Sequence, residues 1–184
     1  MSNVIKINTP MTREVAKELK AGDVVSISGV VYAARDAAHK RMVELLKNGE
    51  KLPFDIDGQV IYYVGPCPAK PGEIIGSAGP TTSGRMDAYA PKLIEIGLLG
   101  MIGKGARNAD VINAMKKHGA VYFGATGGAG ALIAKSITSE EVIAFPELGT
   151  EALRKLTVKD FPAIVIIDSY GNNLYEIGKA KYRI

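Results

Sequence analysis

The feature that most restricts the fold of this chain is an alternation along its whole length. Short, β-branched apolar runs stop at a glycine, a proline or a basic residue, and segments with helical spacing follow them. "DVVSISGVVYAA", Asp23 to Ala34, reads as two short strands or as one bulged strand with a glycine at its middle, and it stops at Arg35. "RDAAHKRMVELLKNGE" then sets Ala38, Met42, Leu45 and Leu46 on one helical face, with Asp36 favouring the N-terminal dipole and Asn48-Gly49 able to end the helix. Val60 to Val64 is a strand entering a proline-rich turn, and "EIIGSAGPTTSGRMD" reads as a further short strand entering a loop. A helix from about Asp87 to Ile96 must hold Pro91 in its first turn or be kinked by it. "LLGMIGKG" is a buried strand ending at Lys104, and "NADVINAMKKHGA" a helix capped by Asn108 and closed by Gly119. "AVYFGATGGAGALIAKSI" reads as strand, glycine-rich turn and small-residue helix, and the tail alternates again, with a hairpin turn expected at Gly171-Asn172. Such a mixture predicts an α/β fold with extra antiparallel strands, in a single domain over residues 1–184.

Several functions are excluded early. No apolar run approaches the roughly 20 residues that cross a bilayer, and "MSNVIKINTPMTREV" lacks a signal-peptide core, so a cytoplasmic protein is expected. The net charge is +4, but the basic residues are interleaved with acids and lack the clustering and stacking aromatics of a nucleic-acid surface. The one cysteine, Cys67, flanked by prolines, excludes an internal disulfide and any chelate that needs two thiolates; it reads as structural.

The candidate chemistry lies in loops. "GPTTSGRMD", Gly79 to Asp87, joins glycines, hydroxyls and Arg85, a composition that suits an anion, since arginine offers a planar fork of donors. Arg35 stands where a strand feeds a helix, as a carboxylate or phosphate clamp or as one half of a surface ion pair. His39, alone on its helix, reads as a packed or capping residue. Lys104, between Gly103 and Gly105, is either a ligand contact or a turn lysine. "GATGGAG", Gly124 to Gly130, sits between strand and helix like a phosphate loop but lacks the Walker lysine, and close helix–sheet packing explains it better. Arg35, Arg85 and Lys104 beside Thr81 and Thr82 suit a small dianion such as a dicarboxylate.

"GPTTSGRMDAY", with "SGVVYAARDAAHKRM" before it and "IGKG" after it, resembles the β subunit of two-subunit class I fumarases and L(+)-tartrate dehydratases. The likeness extends through "LPFDIDGQVIYYVGP" and "FPELGTEALRKLTVKDFPAIVIID". It implies a swivelling β/β/α domain, a mixed sheet with surrounding helices. It further implies an α subunit partner, usually as α2β2, whose [4Fe–4S] cluster acts as a Lewis acid on the substrate hydroxyl. A cuboidal cluster needs at least three thiolates, and this chain has one, so the cluster would be the partner's. By the same resemblance Arg35, Arg85 and Lys104 would hold the substrate carboxylates. Thr81 and Thr82 would line the reacting carbons, with Thr81 moving the carbon-bound proton. Fumarate with malate, tartrate and a methylated relative all remain open as substrates. A small-anion regulatory module without catalysis, or a nucleotide enzyme using "GATGGAG", would be the other classes.

Overall fold

Strand β2 (Val24–Ala33) organises the computed structural model, which describes residues 4–183. Along one edge it pairs with antiparallel β7 (Leu153–Ile167). Along the other it pairs in parallel, first with β1 (Ile5–Thr9) and then, past Gly29, with β3 (Val60–Tyr62). Parallel pairing continues from β3 to β4 (Gly100–Gly103) and from β4 to β5 (Val121–Gly124), and β5 meets the end of β7 antiparallel. The path β2–β3–β4–β5–β7 therefore returns to β2, and the sheet closes on itself. Strand β6 (Ile137–Ala144) pairs with the first half of β7.

Gly29 decides between the two readings of "DVVSISGVVYAA": it is one strand with a bulge. The β2–β7 register slips between Ile27 and Gly29, where φ is +114° and a Cβ would stand 2.6 Å from Thr9 Oγ1. A side chain there would be strained and also collide.

Closure explains why the parallel strands are apolar on both faces. Val31, Ala33, Val60, Tyr62, Val121 and Phe123 point into the ring with Leu156, Phe161 and Val165 of β7. Their neighbours Tyr32, Ile61, Met101 and Tyr122 point outward, against helices α2 (Asp36–Lys47), α3 (Ala90–Glu95) and α4 (Ala109–His118), which contribute Met42, Leu93, Val111 and Met115. Each such side chain, fully buried, stabilises by roughly 1.5–3 kcal/mol, so the outer layer fixes the helices as firmly as the inner core fixes the strands.

The helix ends follow their cap residues. Asn108 Oδ1 accepts from Val111 N at 3.0 Å, and Gly119 closes α4 in the left-handed region. Pro91 lies in the first turn of α3, which starts after a 3-10 turn over Ser83–Met86. The short helices α1 (Arg13–Glu18) and α5 (Gly130–Ala134) precede β2 and β6.

One expectation needs correcting. No strand forms at "EIIG": the loop from Pro66 to Ser77 bonds to itself, Cys67 N to Ser77 O at 2.9 Å and Gly76 N to Cys67 O at 3.2 Å, and its prolines have no N–H for a ladder. The turn expected at Gly171-Asn172 does reverse the chain, closed by a single antiparallel bridge between Ile167 and Asn173 and by Asp168 N donating to Asn172 O at 3.1 Å. Asp168 gathers that turn, with Oδ1 accepting from Tyr170 N and Asn172 N at 3.0 Å each. The chain then enters α6 (Leu174–Tyr182), where Asn173 Oδ1 accepts from Tyr175 N.

Candidate functional site

Strands β2, β3, β4 and β5 are parallel, so their carboxyl ends open at one end of the sheet, where α/β proteins gather ligands. The five sequence-predicted residues all come to that end. Arg35 follows β2, the Thr81–Arg85 stretch lies beyond β3, Lys104 follows β4, and the Gly124–Gly130 turn follows β5.

The threonines are clamped between two strand ends. Thr81 N donates to Tyr63 O at 2.8 Å, Lys104 N donates to Thr81 O at 3.3 Å, and Ser83 N donates to Lys104 O at 2.9 Å. Thr82 and Lys104 form a parallel bridge. Gly103 makes this approach possible, because a Cβ there would collide with Ser83 Oγ and stand 3.0 Å from the Tyr63 ring. The first glycine of "GKG" thus serves the backbone rather than the freedom of Lys104.

Both arginines are already paired with carboxylates. Arg35 Nη2 lies 3.2 Å from Glu151 Oε1, and its guanidinium passes over Gly65, where a Cβ would stand 2.8 Å from Cδ and Nη1. Arg85 is ion-paired with Asp36, the residue after Arg35, which brings the two guanidiniums to one patch. Arg35 Nε and Asp36 Oδ1 are buried without hydrogen-bond partners among the described residues, a donor and an acceptor left unanswered beside the site. Lys104 is exposed and has no acidic partner among the described residues; Gly127 passes so close that a Cβ there would stand 3.8 Å from Nζ. Asp36, read in the sequence as a helix-dipole residue, is therefore also the holder of Arg85. Glu151 had no local signal, since it reaches Arg35 across more than a hundred residues.

Behind the loop lies a buried network that sequence reasoning missed. Arg107, its side chain fully buried, donates from Nε to Asp87 Oδ1 at 2.7 Å and from Nη2 to Tyr63 Oη at 3.4 Å, while Asp87 Oδ2 accepts from Asn108 N at 2.7 Å. Tyr122 Oη donates to Gly105 O at 2.9 Å and stands 2.9 Å from Ser83 Oγ, which leaves Ser83 as the donor of that second bond. Burial raises the Tyr122 pKa, so its proton stays in place. These bonds tie the threonine loop to the segment that carries Lys104.

The glycine turn behaves as packing. A Cβ on Gly130 would stand 2.5 Å from Ser77 Oγ and 2.8 Å from Gly79 N, so Gly130 lets α5 touch the threonine loop. Cys67 is exposed, and no group of three or more His, Cys, Asp or Glu side chains among the described residues could hold a metal. Depressions of about 270 Å³ beside Cys67 and about 220 Å³ beside Lys116 contain none of the five residues; the site is an open rim.

His39 sits beneath this rim. Its Nδ1 is 2.8 Å from Arg35 O, an acceptor, so Nδ1 carries the proton and the buried Nε2 is bare. Burial lowers its pKa from 6.5 to about 4. A base depressed in this way stabilises the fold fully above pH 6.5 and loses that contribution as the pH falls toward 4. That interval corresponds to about 3 kcal/mol. His39→Gln is therefore expected to flatten the loss of stability between pH 6.5 and 4, read by urea midpoints across that range; parallel wild-type and variant curves would contradict the burial argument.

The family model described as Fumarase C-terminus matches residues 1–178. Fumarate hydratase class I, aerobic, of Escherichia coli is 41% identical over 177 residues, which cover 94% of this chain and 32% of that protein. Fumarate hydratase 2 of Leishmania major is 42% identical over 165 residues, or 89% of this chain and 29% of that protein. The chain thus spans about a third of these hydratases. A Methanocaldococcus jannaschii protein, provisionally named an L(+)-tartrate dehydratase subunit beta, is 40% identical over 172 residues, covering 90% of this chain and 88% of its own length. From the near-complete match to the family model and the length shared with this subunit, the chain belongs to the Fumarase C-terminus family.

Proposed function

We propose that this chain is the β subunit, or its equivalent, of an iron–sulfur hydro-lyase that reversibly hydrates fumarate to (S)-malate, with L(+)-tartrate as the alternative substrate. The convergence of Arg35, Arg85 and Lys104 with Thr81 and Thr82 at the carboxyl ends of four parallel strands carries this reading. In it the whole chain is a single domain of the swivelling β/β/α kind, for which the closed strand path with helices outside is the support. The protein is cytoplasmic in this reading; no helix among the described residues is long and apolar enough to cross a membrane.

Arg35 and Arg85 take the substrate carboxylates, and their paired acids Glu151 and Asp36 hold each fork in position before substrate arrives. Lys104 adds an ammonium that has no acidic partner among the described residues. Arg35 Nε finds in the substrate the acceptor it lacks here. Thr81 supplies a hydroxyl for proton transfer and Thr82 lines the reacting carbons. With one exposed cysteine and no ligand cluster among the described residues, this chain does not fit a [4Fe–4S] group. The proposal assigns that cluster to an α counterpart, assembled as α2β2.

The test is hydration of fumarate, and dehydration of malate and tartrate, followed by absorbance of the unsaturated acid under argon. Each part is assayed alone and both together, with wild type and Arg85→Lys. Activity is expected only in the mixture. Arg85→Lys replaces a two-point grip by a point charge, costing roughly 1.5–3 kcal/mol, so kcat/KM should fall about ten- to a hundred-fold with thermal stability nearly unchanged. Turnover by this chain alone, or a mixture inactive on every hydroxy diacid despite an intact cluster, would refute the assignment.

A further inference from the structure

The rim that carries the cations continues on one side into an apolar groove. A depression of about 750 Å³ lies between the Pro66–Ser77 loop and α5, lined by Cys67, Pro68, Ile74, Ile75, Ala131 and Ala134 among others. Ile74 is 49% exposed, and Leu132, on the same short helix as the two alanines, is 64% exposed. Large apolar side chains held this open beside a polar rim mark a surface that another protein covers. The loop is not loose: its ends are bonded at Cys67 and Ser77, and Glu73 N donates to Lys70 O at 2.9 Å.

The groove also adjoins the site covalently and through contacts. Its loop leaves the end of β3 and runs directly into Thr81, while α5 grows out of the turn that passes Lys104. Ala78 N donates to Gly130 O at 3.1 Å, joining the two walls. A body that closes over the cations from above would rest on this flank. The relatives indicate its size: the Escherichia coli hydratase matches this chain over 32% of its length, under a family description that names the C-terminus, so about two thirds of that protein lies outside the match.

We infer that the groove between the 66–77 loop and α5, with Ile74 as the apolar anchor that lines it and Leu132 exposed on that helix at its margin, is the docking surface for the counterpart of those remaining two thirds. This rests on the reading above that a cluster-bearing counterpart completes the site. The charged margin, Lys70, Glu73 and Lys135, then forms the polar border of the interface.

The test measures association of the full chain with the anaerobically reconstituted counterpart by calorimetry and sedimentation, alongside hydration activity. Ile74→Glu should weaken binding roughly thirty-fold or more, as removal of a central apolar anchor does, and Leu132→Glu, at the margin of the groove, should weaken it as well. Ile177→Glu, on exposed α6, should leave it unchanged. Should Leu132→Glu fold poorly by circular dichroism, Leu132→Gln together with Ile74→Gln is expected to show the same loss. Wild-type affinity in the folded groove variants would overturn the inference, and so would a wild-type chain that self-associates through Leu132 and never takes the counterpart. Thr81→Val separates the two proposals: tight assembly with lost turnover supports the interface and the site together. Hydration by an assembly indifferent to the groove variants would sink this inference alone, and groove-dependent assembly that hydrates nothing would sink only the hydro-lyase reading.

Discussion

Asp87→Ala is expected to lower the unfolding free energy of this chain by about 3–5 kcal/mol, the usual cost of removing one partner from a buried ion pair. Two losses combine. Arg107, whose side chain is fully buried, keeps a charge with no counter-ion, and Asn108 N, which opens α4, loses the acceptor at 2.7 Å. Tyr63 Oη and Met101 Sδ, both 3.4 Å from the guanidinium, are too weakly polar to replace a carboxylate. Arg107→Met alone removes the charge but strands Asp87, so it should also be costly. The double variant Asp87→Ala, Arg107→Met should recover part of the sum, because neither charge is then left alone. Urea unfolding with a common slope measures all three. A loss below about 1 kcal/mol for Asp87→Ala would mean that water reaches Arg107 and the site is less dry than its burial suggests.

The same pair shows where sequence reading stops. Periodicity found β2, α2, β4, α4 and β5 because each buries a regular face, and cap residues such as Asn108 and Gly119 fixed the ends. The residues at the strand ends were legible for a related reason: an arginine, a lysine or paired threonines at the close of an apolar run interrupt a pattern that burial would otherwise extend. Arg107 breaks no pattern. It lies in a loop, and only the tertiary meeting of the 81–87 and 103–108 segments buries it. Glu151 is likewise invisible, since its partner Arg35 is brought to it by the closure of β2 onto β7. The missed loop at "EIIG" has the opposite cause. Two isoleucines with strand propensity lie between prolines that deny the ladder its donors, and the backbone satisfies itself locally. His39 was legible as a packed residue, yet its bond to Arg35 O, which steadies the entry to α2 under the candidate clamp, required the coordinates.

Thr81→Val should cut kcat of the assembled enzyme by about 10²–10⁴, the range for loss of a positioned proton-transfer group, and change KM little. The geometry favours a clean experiment. Thr81 is fixed through its backbone, N to Tyr63 O and O to Lys104 N, while its hydroxyl makes no hydrogen bond to any described residue. Valine keeps the shape, so the loop should hold its place and the melting temperature should stay within a degree or two. The cations nearby matter to the chemistry, since an unaided hydroxyl is a poor base and needs positive charge beside it to favour its ionised form; Lys104, bonded to Thr81 through the backbone, is one candidate. Two readouts distinguish chemistry from scaffolding. Exchange of the carbon-bound proton of malate with deuterated water should fall in step with kcat if Thr81 moves that proton, and Thr82→Val, exposed beside it, should be the milder change. Small, equal effects in both variants would mean that the two hydroxyls only shape the loop, and the proton would then have to travel through a group on the counterpart.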